Sequence, residues 1–386
     1  MADKRSAFAL WRLGFRPFYL LAAIFSALSV GLWALQFTGL LPRAYLGGPL
    51  WHAHEMLFGY ALAVVAGFLF TAVRNWSGRP TPTGATLAAI AALWVAGRVL
   101  VLTPWDVAAA VANTAFPLAV AWGIGAPLWR ARNERNYFFV GLLVLMSAGV
   151  AYIHLTALGA LEAPPWAGVQ LGLDVILFIM AVMAGRVVPM FTNNGAPGAR
   201  ARRSSHVERA ALGGVLMLLV ADLFRLSGAL LAVLAFAAAV AHIVRLALWD
   251  TRATLRTPLL WVLHLAYAWI PVHLLLRAAG EAGWVSRSLA VHALTVGAIG
   301  GLTIGMMVRT ARGHTGRPLL ADRFETTCFA LIAAAAAVRV LCPLILPQHY
   351  LTSVFISATL WSTSFLLYAV RYWPVLTRER VDGAPG

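Results

Sequence analysis

Apolar runs long enough to cross a lipid bilayer recur along the whole chain of 386 residues. A transmembrane helix needs about 20 consecutive, mostly apolar residues, and we identify twelve such runs, separated by short linkers that contain glycine and proline. The predicted spans are residues 17–38, 51–74, 84–104, 106–129, 137–159, 166–191, 206–225, 228–249, 257–279, 287–310, 323–345 and 349–371. No linker is long enough for a separate soluble domain. The sequence therefore predicts an all-α, polytopic membrane protein with one integral-membrane domain over residues 1–386.

The composition agrees with a membrane protein, and the distribution of charge argues against a nucleic-acid-binding protein. Only 11% of the residues are charged and 61% are hydrophobic, whereas a soluble domain carries roughly 25% charged residues. The formal net charge of +16 raises the question of nucleic-acid binding. However, the arginines stand singly between apolar runs and form no basic arm, so we exclude a nucleic-acid partner and expect a lipid bilayer.

The placement of the basic residues predicts the orientation of the chain. If the N-terminus is inside, 23 lysine and arginine residues fall in the inner segments and 6 in the outer half. Basic residues are enriched on the cytoplasmic side of membrane proteins. We therefore expect both termini in the cytoplasm.

The stretch "WHAHEMLFGY", residues 51–60, places His52, His54 and Glu55 at the outer end of the second span. Ionisable groups inside a span are functional candidates. Residues two apart on an α-helix point about 200° apart, so the two histidines face different sides, and Glu55 shares a face with His52. Either His52 and Glu55 hold a non-haem metal while His54 faces a haem, or the assignment is reversed. Glu55 could also orient an imidazole instead of binding metal.

Other polar side chains lie at a similar depth. His292 and His273 are in the outer parts of spans 10 and 9, and Asp174 is in the outer half of span 6. His264 lies nearer the inner side. His264 and His273 are nine residues apart and face opposite sides of one helix, so they cannot serve one centre.

Five histidines remain, and two of them, His206 in a basic loop and His242 beside an arginine-rich loop, are assigned no role. His314 lies in an inner loop, where it either fixes the loop through a hydrogen bond or belongs to a second centre. His154 and His349, at the ends of spans, are interpreted as residues of the membrane interface.

The residue types favour a haem-type or copper-type cofactor. Imidazole suits iron and copper. The two cysteines, Cys328 and Cys342, cannot build an iron–sulfur site, and no CxxCH motif is present for covalent haem. We therefore predict haem b, one or more, with copper or non-haem iron as a candidate second metal.

The candidate metal ligands are His52, His54, Glu55, His264, His292 and His314. The candidate haem contacts are His52, His54, His292, His273 and two arginines for the propionates, Arg98 and Arg277. Glu55 and Asp174 are the candidate proton relays.

Spans 2, 6 and 10 suggest an internal repeat. Each ends in an arginine followed by a loop containing glycine and proline, and the arginines are Arg74, Arg186 and Arg309. They are separated by four spans each time. A threefold repeat of four helices is therefore a hypothesis.

Three segments resemble a known family. They are "RLGFRPFYLLAA", "WHAHEMLFGYALAVVAGFLFTAVRNWSGRP" and "VHALTVGAIGGLTIGMMVRTARGHTGRPL", and they are similar to the NnrS family of bacterial membrane proteins. The resemblance extends from residue 11 to about residue 320. It implies twelve spans, haem and copper, the bacterial cytoplasmic (inner) membrane, and a role in the nitric oxide response, in denitrification or nitrosative-stress defence.

Together these features lead to a functional hypothesis and two alternatives. The leading hypothesis is an oxidoreductase that binds and reduces nitric oxide, with electrons from quinol or a separate donor protein. The first alternative is a non-catalytic haem or copper protein that senses nitric oxide or protects against it. The second is a membrane transporter.

Overall fold

The computed structural model of the chain describes residues 8–40 and 45–384. Twelve long helices and no strands are found in these residues. The helices that precede residue 200 are α1 Phe15–Phe37, α2 Gly48–Ser77, α3 Gly84–Leu100, α4 Asp106–Arg130, α5 Phe138–Ala157 and α6 Trp166–Gly195. The remaining helices are α7 Ser205–Leu223, α8 Ala229–Ala247, α9 Pro258–Glu281, α10 Arg287–His314, α11 Arg323–Ile345 and α12 Tyr350–Thr377.

Each predicted span coincides with one of these helices, and the all-α, polytopic class is confirmed. Ten helical segments of the described chain are long and apolar enough to cross a membrane. Helix α3 is apolar but shorter, and α7 is not among the ten. A multi-pass membrane protein is therefore established, while twelve crossings and cytoplasmic termini stay predictions. Lys4, Arg5 and Arg43, which entered the charge count, lie outside the described residues.

The chain forms two compact units. Unit 1 contains residues 1–173, 309–318 and 365–386, and unit 2 contains residues 174–308 and 319–364. In unit 1, α2 packs against α1 and α4, and α4 also packs against α3 and α5. In unit 2, α8 packs against α7 and α9, and the outer part of α10 packs against α9 and α11. The single integral-membrane domain stays a prediction.

Two helices contain a π-helical segment, which adds residues to a turn and alters the directions of the side chains. Glu55–Ala61 is π-helical in α2, and Ala293–Gly300 is π-helical in α10. Each segment begins directly after a motif histidine, His54 or His292. Such segments are frequent at functional sites. Spans 2 and 10 therefore share a π-helical segment after a histidine, but the threefold repeat itself stays a prediction.

Small residues bring α10 close to α9 within unit 2. A Cβ added at Gly301 would overlap the side chain of Ala266, and one added at Gly305 would press on Val262 and Leu263. Close approach through small residues is how helices in membranes commonly pack. These glycines therefore serve helix packing.

Candidate functional site

The candidate site in unit 1 is built on His54 and Glu55 of α2. His54 is fully buried and Glu55 is 1% exposed. Nδ1 of His54 lies 2.7 Å from Oε1 of Glu55, so Nδ1 donates and the lone pair of the neutral ring is on Nε2. Nε2 of His54 and Oε2 of Glu55 have no hydrogen-bond partner among the described residues. A histidine held at Nδ1 by a carboxylate, with Nε2 available, has the arrangement of a metal-binding imidazole.

A third charged residue, Arg98 of α3, balances the carboxylate. Nη1 of Arg98 lies 3.0 Å from Oε1 of Glu55, and Nη2 donates to Oδ1 of Asn113 on α4. The amide of Asn113 is oriented because its Nδ2 donates to the main-chain oxygens of Gly97 and Ala109, at 3.3 and 2.8 Å. An unpaired buried charge is costly. Pairing with Arg98 therefore explains how Glu55 is accommodated among apolar helices.

Glycine in the π-helical segment makes room for this guanidinium. A Cβ at Gly59 would overlap Nη1 of Arg98 and the ring of Phe25. The main-chain oxygen of Gly59 accepts a hydrogen bond of 3.0 Å from Nε1 of Trp94. Arg98 also lies over the rings of Phe25 and Trp94, at 5.7 and 5.8 Å, where cation–π attraction holds it.

His154 of α5 joins the site, although the sequence interpretation placed it at the membrane interface. It is 1% exposed, and its ring centroid lies 5.0 Å from that of His54, with the planes nearly perpendicular. Nδ1 of His154 lies 3.4 Å from the hydroxyl of Tyr45, and the two rings stack. Nε2 of His154 has no hydrogen-bond partner among the described residues. The one indication in the sequence was that His154 lies at a depth similar to that of His54. Local sequence does not show that α2 and α5 come together.

His52 points away from this pair, as the spacing of the two histidines predicted. Its ring lies against Trp33 of α1, with centroids 4.4 Å apart. The sequence left open whether Glu55 joins His52 at a metal or orients an imidazole, and in the structure its Oε1 lies 2.7 Å from Nδ1 of His54. The rule of residues three apart assumes regular α-helix, and α2 changes to π-helix at Glu55.

In unit 2, two more of the predicted residues meet. Nη1 of Arg277 lies 3.6 Å from Oδ1 of Asp174, and Nη2 contacts both carboxylate oxygens of Asp222 at 2.5 Å. The sequence interpretation did not include Asp222. Arg277 is thus surrounded by two carboxylates, which would repel a haem propionate. Its role toward a propionate stays a prediction.

Both ring nitrogens of His292 already have partners. Nδ1 lies 2.7 Å from the main-chain oxygen of Ser288, and Nη2 of Arg339 approaches Nε2 at 3.2 Å. Arg339 also donates to the hydroxyl of Tyr350 at 3.3 Å. Because arginine can only donate, Nε2 of His292 is the acceptor and Nδ1 carries the proton. Binding of a metal at Nε2 would require Arg339 to move.

The two histidines of α9 serve separate surroundings, which agrees with their nine-residue spacing. Nε2 of His264 lies 2.8 Å from the hydroxyl of Thr192, and Nδ1 lies 3.0 Å from that of Thr251. Both ring nitrogens of His264 are therefore engaged. Nδ1 of His273 lies 2.8 Å from the main-chain oxygen of Ala290.

A buried polar network in unit 2 was missed by the sequence interpretation. Arg245 is 1% exposed and forms a two-bond ion pair with Glu208, with Nε–Oε1 at 2.9 Å and Nη2–Oε2 at 2.5 Å. It also donates to the hydroxyl of Tyr267 at 3.1 Å, and that hydroxyl lies 2.6 Å from Nδ1 of His242. Nε2 of His242 has no hydrogen-bond partner among the described residues. The four residues come from three helices, so their spacing in the sequence does not indicate that they form a network.

His314 lies at the end of α10, in unit 1. Its ring packs against Phe15 of α1 with centroids 5.7 Å apart, and its main-chain oxygen accepts a hydrogen bond of 3.1 Å from Arg380. These contacts hold a loop to both ends of the described chain.

The family model for the NnrS protein matches residues 9–380 of this sequence. The chain belongs to the NnrS family. No curated protein matched it. As a member of NnrS, the chain is a multi-pass membrane protein of the nitric oxide response family.

Two imidazoles of this NnrS member are the candidates for holding a metal. Among the described residues, no three His, Cys, Asp or Glu side chains are grouped to hold a metal ion. The candidates are His54 and His154 of unit 1, whose buried Nε2 atoms have no hydrogen-bond partner in the part of the chain that the structure describes. Imidazole is a good ligand for copper and iron.

Proposed function

We propose that this NnrS-family protein binds nitric oxide at a metal held by His54 and His154, and reduces it. One observation carries the proposal. Two buried imidazoles from different helices lie together, each with a polar neighbour at Nδ1 and without a partner at Nε2 among the described residues. Buried polar atoms normally have partners. An atom that accepts a lone pair, such as a metal, satisfies both rings.

The spacing of the rings favours one ion over a haem between them. Two metal–nitrogen bonds in line already span about 4 Å, and the ring centroids behind their nitrogens add about 2 Å more. The observed separation is 5.0 Å, with an interplanar angle of 80°. This separation is shorter than that in-line span, so His54 and His154 would hold one copper or non-haem iron ion and not a haem between them. When bound, this metal supplies a Lewis-acidic site for nitric oxide.

Haem b is the second group that we propose, and unit 2 offers a histidine for it. His292 and His273 were the sequence candidates in this unit, but Arg339 approaches Nε2 of His292. His242 is fully buried and oriented at Nδ1 by Tyr267, and its Nε2 has no partner among the described residues. We therefore prefer His242 as the residue that would hold haem, with its Nδ1–H donated to the hydroxyl oxygen of Tyr267 so that the lone pair of the ring is on Nε2.

Glu55 and Arg98 would prepare the site for charge and proton movement. Glu55 fixes the tautomer of His54, and its Oε2 remains available to hold a proton within the buried site. Arg98 offsets the carboxylate charge and fixes its position. In unit 2, Asp174 stays a candidate relay, but its neighbour Arg277 links it to Asp222.

The proposed reaction consumes two molecules of nitric oxide, two electrons and two protons, and it yields nitrous oxide and water. Electrons would come from quinol or a separate donor protein in the bacterial inner membrane. Non-catalytic capture of nitric oxide is the second candidate. It is favoured by the small donor set, since no third ligand side chain completes a metal cluster in the described part of the chain.

One experiment separates reduction from capture. The purified protein is reduced anaerobically and mixed with nitric oxide, and nitrous oxide is measured in the headspace. We expect nitrous oxide in amounts exceeding the protein concentration, and a loss of this activity in His154→Ala. A spectral change with nitric oxide but no nitrous oxide would leave capture as the function.

A further inference from the structure

The C-terminal segment, residues 376–382, is fastened to the start of α1 and to the loop after α10, all within unit 1. The main-chain nitrogen of Ala9 donates to the oxygen of Thr377 at 2.7 Å, and that of Val381 donates to the oxygen of Thr315 at 3.1 Å. Arg12 pairs with Glu379. Two of the motif segments, "RLGFRPF" and "GHTGRP", thus meet at one end of the unit.

Arg16 lies at this junction, and two of its three guanidinium nitrogens make no hydrogen bond within the described residues. Its side chain is fully buried. Nη1 donates to the main-chain oxygens of Leu376 and Arg378, at 3.0 and 2.7 Å. Nε and Nη2 have no hydrogen-bond partner among the described residues. These two atoms form the side-on edge of a guanidinium, which binds two oxygens of a carboxylate or phosphate at once.

Further cations lie near Arg16. Arg12, Arg317 and Arg380 are close enough to act on the charge of Arg16, and among the described residues the carboxylate of Glu379 opposes them. Asp382 neutralises Arg380, with contacts of 2.9 and 2.6 Å. After both carboxylates are counted, positive charge remains in excess.

Arg317 supplies a second incomplete guanidinium. It lies in the loop after α10, it is half-buried, and its Nη1 has no partner among the described residues. Burial, followed by the charge of Arg312, holds the pKa of Arg317 below its usual range. A cation in such surroundings is stabilised by an anion.

We propose that Arg16 and Arg317, with Arg12 and Arg380 around them, bind a phosphate-type oxyanion, carried by an anionic phospholipid headgroup or free in solution. The start of α1 adds to the attraction, because the N-terminus of a helix favours negative charge. Basic pockets at the ends of transmembrane helices commonly take lipid headgroups. This site is separate from the nitric oxide chemistry.

The two sources are distinguished with the purified full-length protein. Native mass spectrometry counts phosphatidylglycerol retained after delipidation and re-addition, with phosphatidylcholine as the neutral lipid. Thermal unfolding of delipidated protein is then followed in inorganic phosphate and in chloride at equal ionic strength. Retention of phosphatidylglycerol alone assigns the site to lipid, and stabilisation by phosphate alone assigns it to the free anion.

Variants test the residues. Arg16→Lys keeps the charge but loses the side-on edge, and Arg317→Gln lies in a loop where folding is less at risk. In both we expect binding to weaken by about tenfold or more, because each removes charge-assisted hydrogen bonds. Arg130→Gln, at the exposed end of α4, is the matched control and should bind like the wild type. The proposal is refuted if neither ligand binds the wild type, or if Arg130→Gln weakens binding as much as Arg317→Gln.

Discussion

Replacement of Arg98 by methionine tests whether Glu55 is a buried, paired carboxylate. Glu55 is 1% exposed and Arg98 is 8% exposed, so water cannot replace the lost partner. Removal of one partner of a buried ion pair costs about 3–5 kcal/mol, and the lost bond to Asn113 costs about 1 kcal/mol more. We therefore expect the free energy of unfolding of Arg98→Met to fall by about 4–6 kcal/mol.

The double variant Glu55→Gln/Arg98→Met shows how much of this loss comes from the uncompensated charge. The introduced glutamine keeps an oxygen that can accept from His54, and no unpaired charge remains. A neutral replacement of a buried ion pair is often close to neutral in stability. The double variant should therefore recover most of the loss, to within about 2 kcal/mol of the wild type.

The assay is reversible unfolding in mixed detergent micelles, titrated with sodium dodecyl sulfate and followed by circular dichroism. Arg130→Met, at an exposed helix end, is the control and should change stability by less than about 0.5 kcal/mol. The reasoning is refuted if Arg98→Met loses less than about 1 kcal/mol, or if the double variant is no more stable than the single one.

Two further predictions concern a packing contact and a surface ion pair. Gly59→Ala should lower the free energy of unfolding by about 1–3 kcal/mol, because the added Cβ overlaps Arg98. The control is Gly141→Ala, whose Cβ would meet nothing within 4 Å and which should not destabilise the protein. Equal losses of stability in the two variants would contradict the close contact between Gly59 and Arg98. The hydrogen bond from Arg380 holds the pKa of Asp382 at about 2, below its ordinary value of 3.8. The pair should therefore persist at neutral pH and be lost only as the pH falls through about 2. Carboxyl NMR should show this low midpoint and its rise in Arg380→Gln, and an unchanged midpoint would exclude the pair.

The positions of the helices could be predicted because the bilayer imposes a length on every apolar run. The run at 323–345 coincides with Arg323–Ile345, and the run at 206–225 ends within two residues of Leu223. The separation of His52 and His54 onto two sides also followed from helix geometry. These features depend only on local sequence.

The partners of the site residues could not be predicted in the same way. The contact between His54 and His154 depends on which faces of α2 and α5 pack together. The depth of each histidine along its span does not determine those faces. The pairing of Glu55 with His54 depends on the π-helical segment, for which the sequence contains no simple signal. Arg98 was assigned to a haem propionate, but within unit 1 its guanidinium is engaged by Glu55 and Asn113.

The most direct test of the account compares two histidine variants that differ in what their ring nitrogens contact. The measurement is metal content per protein, together with the spectral change on adding nitric oxide to the reduced protein. His154→Ala removes a ring whose Nε2 is unpartnered in the described structure, whereas His264→Ala removes one with both nitrogens bonded to threonines. We predict that His154→Ala loses one metal ion per chain and its share of the nitric oxide response, and that His264→Ala keeps both. Full metal content and an unchanged response in His154→Ala would contradict the proposed site.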